Sequence, residues 1–169
     1  MHINESVVIE RPVAEVFAYV ADVRNDPTWQ RGVTSVQVDG PPGVGGKVVQ
    51  MRNVLGRQVE GTAICTHFEP EREIAFEGTS ESVAYHGRFT FSEVNERTTV
   101  TFAITVQLGR LLMLTSPLVA RQVKADLRAS LGTLKGLLEA PRKKRRTVSR
   151  GKSGAQPTPV AQQRTSHDR

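Results

Sequence analysis

Residues 85–106 read YHGRFTFSEVNERTTVTFAITV, and the alternation along them decides the architecture. Tyr85, Phe89 and Phe91 share one parity, and Val100, Phe102, Ile104 and Val106 share another, while His86, Arg88, Thr90, Thr99, Thr101 and Thr105 take the positions between. A period of two sends successive side chains to opposite faces of a strand, so the stretch predicts two strands with one dry and one wet face. Asn95–Arg97 supplies the turn between them. Working back toward the N-terminus, residues 33–106 read as six strands broken by turn chemistry at residues 40–46, 55–57, 69–72, 79–82 and 95–97. By the same parity argument Glu60, Thr62, Ile64, Thr66 and Phe68 are expected to face inward from the middle strand, and Ile74 and Phe76 from the next. His2–Glu10, with Ile3, Val7 and Ile9 among polar residues, suits a first strand.

On either side of the strands the period becomes helical. After Pro12, which is tolerated at a first helical position because it needs no amide partner, Val13, Val16, Phe17 and Val20 follow at helical spacing with Glu15 in the first turn. Asn25–Trp29 reads as a second helical turn, with Trp29 as a large anchor. Beyond Gly109, Leu118, Val119, Val123, Leu127, Leu131, Leu134 and Leu138 form one stripe, which predicts an amphipathic helix from about Ser116 to Ala140, stopped by Pro141. Gly132 and Gly136 inside it each weaken the helix by about 1 kcal/mol relative to alanine.

A chain of 169 residues, 38% hydrophobic, suits one α+β domain with a sizeable core. No apolar run approaches the roughly 18 residues of a membrane span, and the first twenty residues mix charge with apolar positions, so a cytoplasmic location is expected. Cys65 is the single cysteine and is expected to pack as a small apolar residue; neither a disulfide nor zinc-ligand spacing is present, and no cofactor is expected. The formal charge of +6 is unevenly placed. Residues 141–169 hold nine Lys/Arg against Asp168 alone, a net of +8, which leaves residues 1–140 at about −2 with 14 Lys/Arg against 16 Asp/Glu. That last segment has almost no large apolar side chain and is expected to be a disordered basic tail after a domain of residues 1–140. Its block Arg142, Lys143, Lys144, Arg145, Arg146 could hold phosphates of nucleic acid or of an anionic membrane, without aromatic residues for base stacking.

The order of strand, helix, helical turn, six antiparallel strands and long helix, together with the run Arg11–Asp22 (RPVAEVFAYVAD) and Pro27-Thr28-Trp29, resembles the START-like (SRPBCC, helix-grip) superfamily. Phe68-Glu69-Pro70, Phe89 and Phe91 before a turn, and Thr98–Phe102 are similar to the polyketide cyclase/dehydrase-like family within it, and the likeness covers roughly residues 3–139. The resemblance implies a seven-stranded curved antiparallel sheet wrapped around the C-terminal helix, enclosing a cavity for a small hydrophobic molecule such as a lipid or polyketide. Some members of the superfamily are enzymes and others only bind.

Contacts to that molecule are expected from Trp29, Thr62, Ile64, Thr66, Phe76, Tyr85, Phe89, Phe102, Val119 and Val123. Binding alone is the first expectation. A cyclase or dehydrase would need an acid or base in the same cavity, for which Tyr85 and Glu60 are the candidates, and an adaptor working through the basic tail is the third alternative. Gly40–Lys47 fails as a phosphate loop, because Val48 follows Lys47 and a strand follows where a helix is required. His67 and His86 take the solvent parity and have no carboxylate partner evident in sequence.

Overall fold

The computed structural model describes residues 1–54, 56–81, 83–107 and 116–141. The block Arg142–Arg146, the rest of the expected tail, and the side chain of Val119 lie outside the described residues. In chain order come β1 (His2–Ile9), α1 (Val13–Ala21), a 3-10 turn (Val23–Asn25), α2 (Asp26–Trp29), β2 (Val33–Asp39), β3 (Lys47–Val54), β4 (Arg57–Glu69), β5 (Glu73–Ser80), β6 (Val83–Val94), β7 (Arg97–Gln107) and α3 (Ser116–Glu139). The seven strands form one antiparallel sheet ordered β1-β7-β6-β5-β4-β3-β2. From β2 to β7, strands that follow each other in sequence are neighbours joined by short connections. The connection from β1 to β2 instead crosses between the two edges of the sheet, and it carries α1 and α2 with it.

The dry face follows the alternation of β6 and β7. Phe89 pairs with Phe102 and Phe91 with Val100, and the first pair stacks with ring centroids 4.1 Å apart. Phe17 of α1 meets Phe68 and Phe91 edge to face at 5.5 and 5.1 Å. Pro12 sits one position earlier than expected, as the N-cap of α1. The first free amide of α1, at Val13, is satisfied by the Glu93 carboxylate at 2.6 Å, the kind of partner that an unpaired helix N-terminus requires.

α3 buries Leu127, Leu131 and Leu134 in the same core as Ile3, Ile9 and Val100. It also closes the free edge of β1. Lys135 donates to the Val8 carbonyl at 2.7 Å, and Glu139 accepts from the Glu10 amide at 2.6 Å. Glu5 pairs with Phe102 on the dry-face register, where an isolated carboxylate would be costly; Arg128 meets both of its oxygens at 3.1 Å and holds its pKa below the ordinary value. Leu118 departs from the expected stripe: it is 81% exposed, because the helix meets the core through its C-terminal half.

β4 corrects the parity read from the sequence. Cys65 pairs with Phe76 while His67, two residues on, pairs with Ala75, so Thr66 is the extra residue of a bulge. A one-residue slip exchanges the two faces of a strand. Phe68 therefore lies on the dry face as expected, whereas N-terminal to the bulge the dry face carries Gly61, Ala63 and Cys65. Glu60, Thr62 and Ile64 point to the wet face, and Ile64 is 48% exposed. Thr66 is exposed at the bulge itself.

Candidate functional site

Small residues on the dry face make room for rings. A Cβ at Gly87 would stand 2.1 Å from the Phe76 ring, and one at Gly78 would stand 2.5 Å from Tyr85, so the outer end of each ring occupies the space a side chain would take. Phe76 reaches Phe89, Phe102 and Tyr85 at centroid distances of 6.2, 6.1 and 6.3 Å, and Trp29 reaches Phe89 at 6.0 Å. Five expected contact residues, Trp29, Phe76, Tyr85, Phe89 and Phe102, are thus brought together. They fill the middle of the concave face as a packed aromatic group, and Val123 of α3 lies half-buried against this core.

Beside them is a polar cluster that the sequence did not announce. Asp26, the first residue of α2, is only 3% exposed, and its Oδ2 accepts from the Gln50 amide at 2.6 Å. Gln50 and Arg52 share the dry face of β3, since Gln50 pairs with Gly61 and Arg52 with Val59. Arg52 Nη2 donates to Gln30 Oε1 at 2.6 Å and to Gln50 Oε1 at 3.1 Å. Burial pushes the Asp26 carboxyl up to about 7, against the opposing pull of the Arg52 charge and of the neighbouring Gln30, Gln50 and Trp29 donors. Burial likewise lowers the pKa of Arg52 and raises that of Tyr85, whose hydroxyl donates a long 3.4 Å bond to the Thr62 carbonyl. The Trp29 indole N–H lies close enough to Asp26 to favour its ionised form, and it is buried without a partner at hydrogen-bond geometry among the described residues.

A cavity of about 330 Å³ lies toward the β2–β3 hairpin, and the residues of this cluster are not among its lining. Its walls are Val36, Val38, Val48, Cys65, Phe68 and Ile74, and its rim is formed by residues 21–24 and the glycine- and proline-rich hairpin at residues 40–43. Val36 pairs with Gln50, and Val48 is the preceding dry-face residue of β3, so Gln50 is the cluster residue nearest the apolar wall in the sheet register. The Cys65 thiol donates to the His67 carbonyl at 3.3 Å and has its pKa raised by burial, so it is a wall residue and a poor nucleophile. Of the residues expected to touch the ligand, the nine whose side chains are described are not among the walls of this cavity. The aromatic group occupies the centre of the grip, and the open space lies toward β2 and β3 beneath the 3-10 turn.

Among the described residues no group of three His, Cys, Asp or Glu side chains is placed to share a metal ion, and no helix is long and apolar enough to cross a membrane. His67 and His86 point to the wet face, where they approach Glu69 and Glu77 at 3.8 and 3.4 Å.

Residues 1–139 match the family model described as polyketide cyclase / dehydrase and lipid transport. No curated protein matches the sequence. Among solved structures, TTHA0849 from Thermus thermophilus superposes with a TM-score of 0.72 at 17% identity, over 82% of this chain and 97% of that one. A START superfamily protein from Mycobacterium smegmatis gives 0.68 at 13% identity, over 82% and 97%. The Zhui aromatase/cyclase from Streptomyces sp. R1128 gives 0.64 at 21%, over 83% and 96%. At these identities the likeness is one of fold.

Proposed function

Because the chain belongs to the polyketide cyclase/dehydrase and lipid transport family over residues 1–139, we propose that it binds a small hydrophobic molecule in the cavity between the 3-10 turn, the β2–β3 hairpin and the dry face of β4 and β5. The observation that carries this reading is the apolar wall of Val36, Val38, Val48, Phe68 and Ile74 around an open space on the dry face. A volume of about 330 Å³ stands at the small end of ligand sites, so it favours a compact molecule over a long-chain lipid. Affinity comes from apolar surface removed from water, roughly 25 cal/mol per Å², less the cost of ordering. The test uses the neutral dye N-phenyl-1-naphthylamine. Cys65→Phe, which fills the cavity from its wall, is expected to abolish the fluorescence increase, while Ile64→Phe, one residue away on the wet face, leaves it unchanged. Equal binding by both variants would overturn the proposal.

A second reading, a cyclase or dehydrase, is favoured by Asp26, a buried carboxyl whose pKa is pushed up to about 7 and which is bonded to Gln50, the β3 residue paired with the wall residue Val36. Of the two acid/base candidates taken from the sequence, Tyr85 stays on the dry face and Glu60 does not. Turnover of a poly-β-ketone thioester that disappears in both Asp26→Asn and Tyr85→Phe would support this reading; turnover unchanged in both would remove it.

A further inference from the structure

Polar groups are placed unequally around the cavity, and the inequality selects among apolar molecules. Of its lining residues only Asp22, Arg24 and Cys65 carry polar side chains. Asp22 and Arg24 stand on the rim, bonded to each other at 2.7 Å with side chains 36% and 70% exposed, so they meet water at the mouth. Cys65 belongs to the wall, and its thiol already donates to the His67 carbonyl at 3.3 Å. The backbone there is committed as well: the Cys65 amide donates to the Gly46 carbonyl at 3.0 Å, and the Cys65 carbonyl accepts from the Gly45 amide at 2.8 Å. The rest of the wall stands on paired strands, with Val38 opposite Val48 and Phe68 opposite Ile74. Amides and carbonyls of such strands lie in the plane of the sheet, while the side chains project from its face. Among the described residues of the wall, no side chain is left to donate a hydrogen bond to an oxygen held inside.

We propose that the bound molecule is a compact hydrocarbon body with its polar group at one end only, the body lying against Val36, Val48 and Phe68 and the polar end at the mouth beside Asp22 and Arg24. This deepens the reading of the cavity as a binding site and rests on it. An oxygen carried from water onto this wall loses its hydrogen bonds without replacement. An oxygen at the mouth keeps them. A chain with a carbonyl at every second carbon is the poorest fit, since each carbonyl beyond the mouth lies against valine, isoleucine or phenylalanine.

The experiment is titration calorimetry of the full chain with four nine-carbon compounds: 1-nonanol, 5-nonanol, 5-nonanone and 1,9-nonanediol. Each affinity is referred to the compound's own transfer from water to octanol, a solvent that offers hydrogen bonds where the wall offers none. On that scale 1-nonanol is expected to bind about tenfold more tightly than the other three, the effect of one oxygen left without a partner. Val48→Thr, which adds a hydroxyl to the wall with almost no change of shape, should raise 5-nonanone several-fold relative to 1-nonanol. Val36→Thr makes the same test from β2 if the first variant does not fold. Equal affinities for 1-nonanol, 5-nonanol and 5-nonanone, or a diol that matches 1-nonanol, would overturn the one-ended class and leave the cavity reading standing. If none of the four binds and N-phenyl-1-naphthylamine fails as well, both fall.

Discussion

At the scale of single residues, Asp26 links stability to pH. Its pKa rises from an ordinary 3.8 in the unfolded chain to about 7 in the fold. Between those values the folded state holds a proton that the unfolded state has released, so stability falls as pH rises through this window and levels off above it. Asp26→Asn removes the titration and keeps an oxygen to accept from Gln50. Urea unfolding is expected to show the variant more stable than the native chain by roughly 1–3 kcal/mol at about pH 8, with the difference vanishing near pH 4. A constant difference across that range would mean that Asp26 ionises freely in the folded protein. Little of this residue's role was legible in the sequence. Asn25-Asp26-Pro27 has the composition of a turn, and KVVQMRNV in β3 alternates valine and methionine with polar residues on both parities. Nothing in such a strand says which face is buried; only its pairing with Gly61 and Val59 shows that Gln50 and Arg52 point inward.

At the scale of elements, glycine has opposite meanings in the sheet and in α3. Gly87 is the floor under Phe76, and a methyl group there would stand 2.1 Å from the ring. Gly87→Ala is expected to cost about 1–3 kcal/mol by overpacking, and Phe76→Leu in the same chain should recover part of the loss. A Gly87→Ala variant as stable as the native chain would show that the ring has another place to go. In α3, a Cβ at Gly132 or Gly136 meets nothing within 4 Å, and both positions are exposed. Gly132→Ala and Gly136→Ala should therefore each stabilise the protein by about 1 kcal/mol in chemical denaturation, because alanine loses less backbone freedom in a helix. β4 shows why the sequence reading failed there and succeeded in β6 and β7. In the latter pair large side chains mark the dry face, whereas in β4 the dry face carries Gly61, Ala63 and Cys65 to admit neighbouring rings, and the larger Ile64 is turned outward by the bulge at Thr66. Hydrophobicity indicates a face only where the strand itself fills the space above it.

At the scale of the whole molecule, order and period were enough for the fold. Six strands after one strand and two short helices, then a long amphipathic helix, admit few arrangements, and the β1–β7 pairing follows once the connection from β1 must cross the concave face. The position of the cavity could not be read in the same way, because it depends on which parts of the interior the rings of Trp29, Phe76, Phe89 and Phe102 occupy. The division of charge along the chain leads to a last prediction. The acidic groups that face α3 or lie on it already have partners: Glu139 is bonded to Lys135 at 2.7 Å, Asp126 to Arg31 at 3.3 Å, and Glu5 to Arg128 at 3.1 Å. The family match ends at residue 139, and residues 141–169 contribute a net charge of +8 with almost no apolar surface to bury. A chain ending at Ala140 is therefore expected to melt at the same temperature as the full chain and to bind the neutral dye with the same affinity. Its net charge falls from +6 to about −2, so it should move from a cation exchanger to an anion exchanger at neutral pH. A lower melting temperature in the shortened chain would mean instead that the basic segment packs on the domain, and screening with salt would then lower the melting temperature of the full chain toward that of the short one.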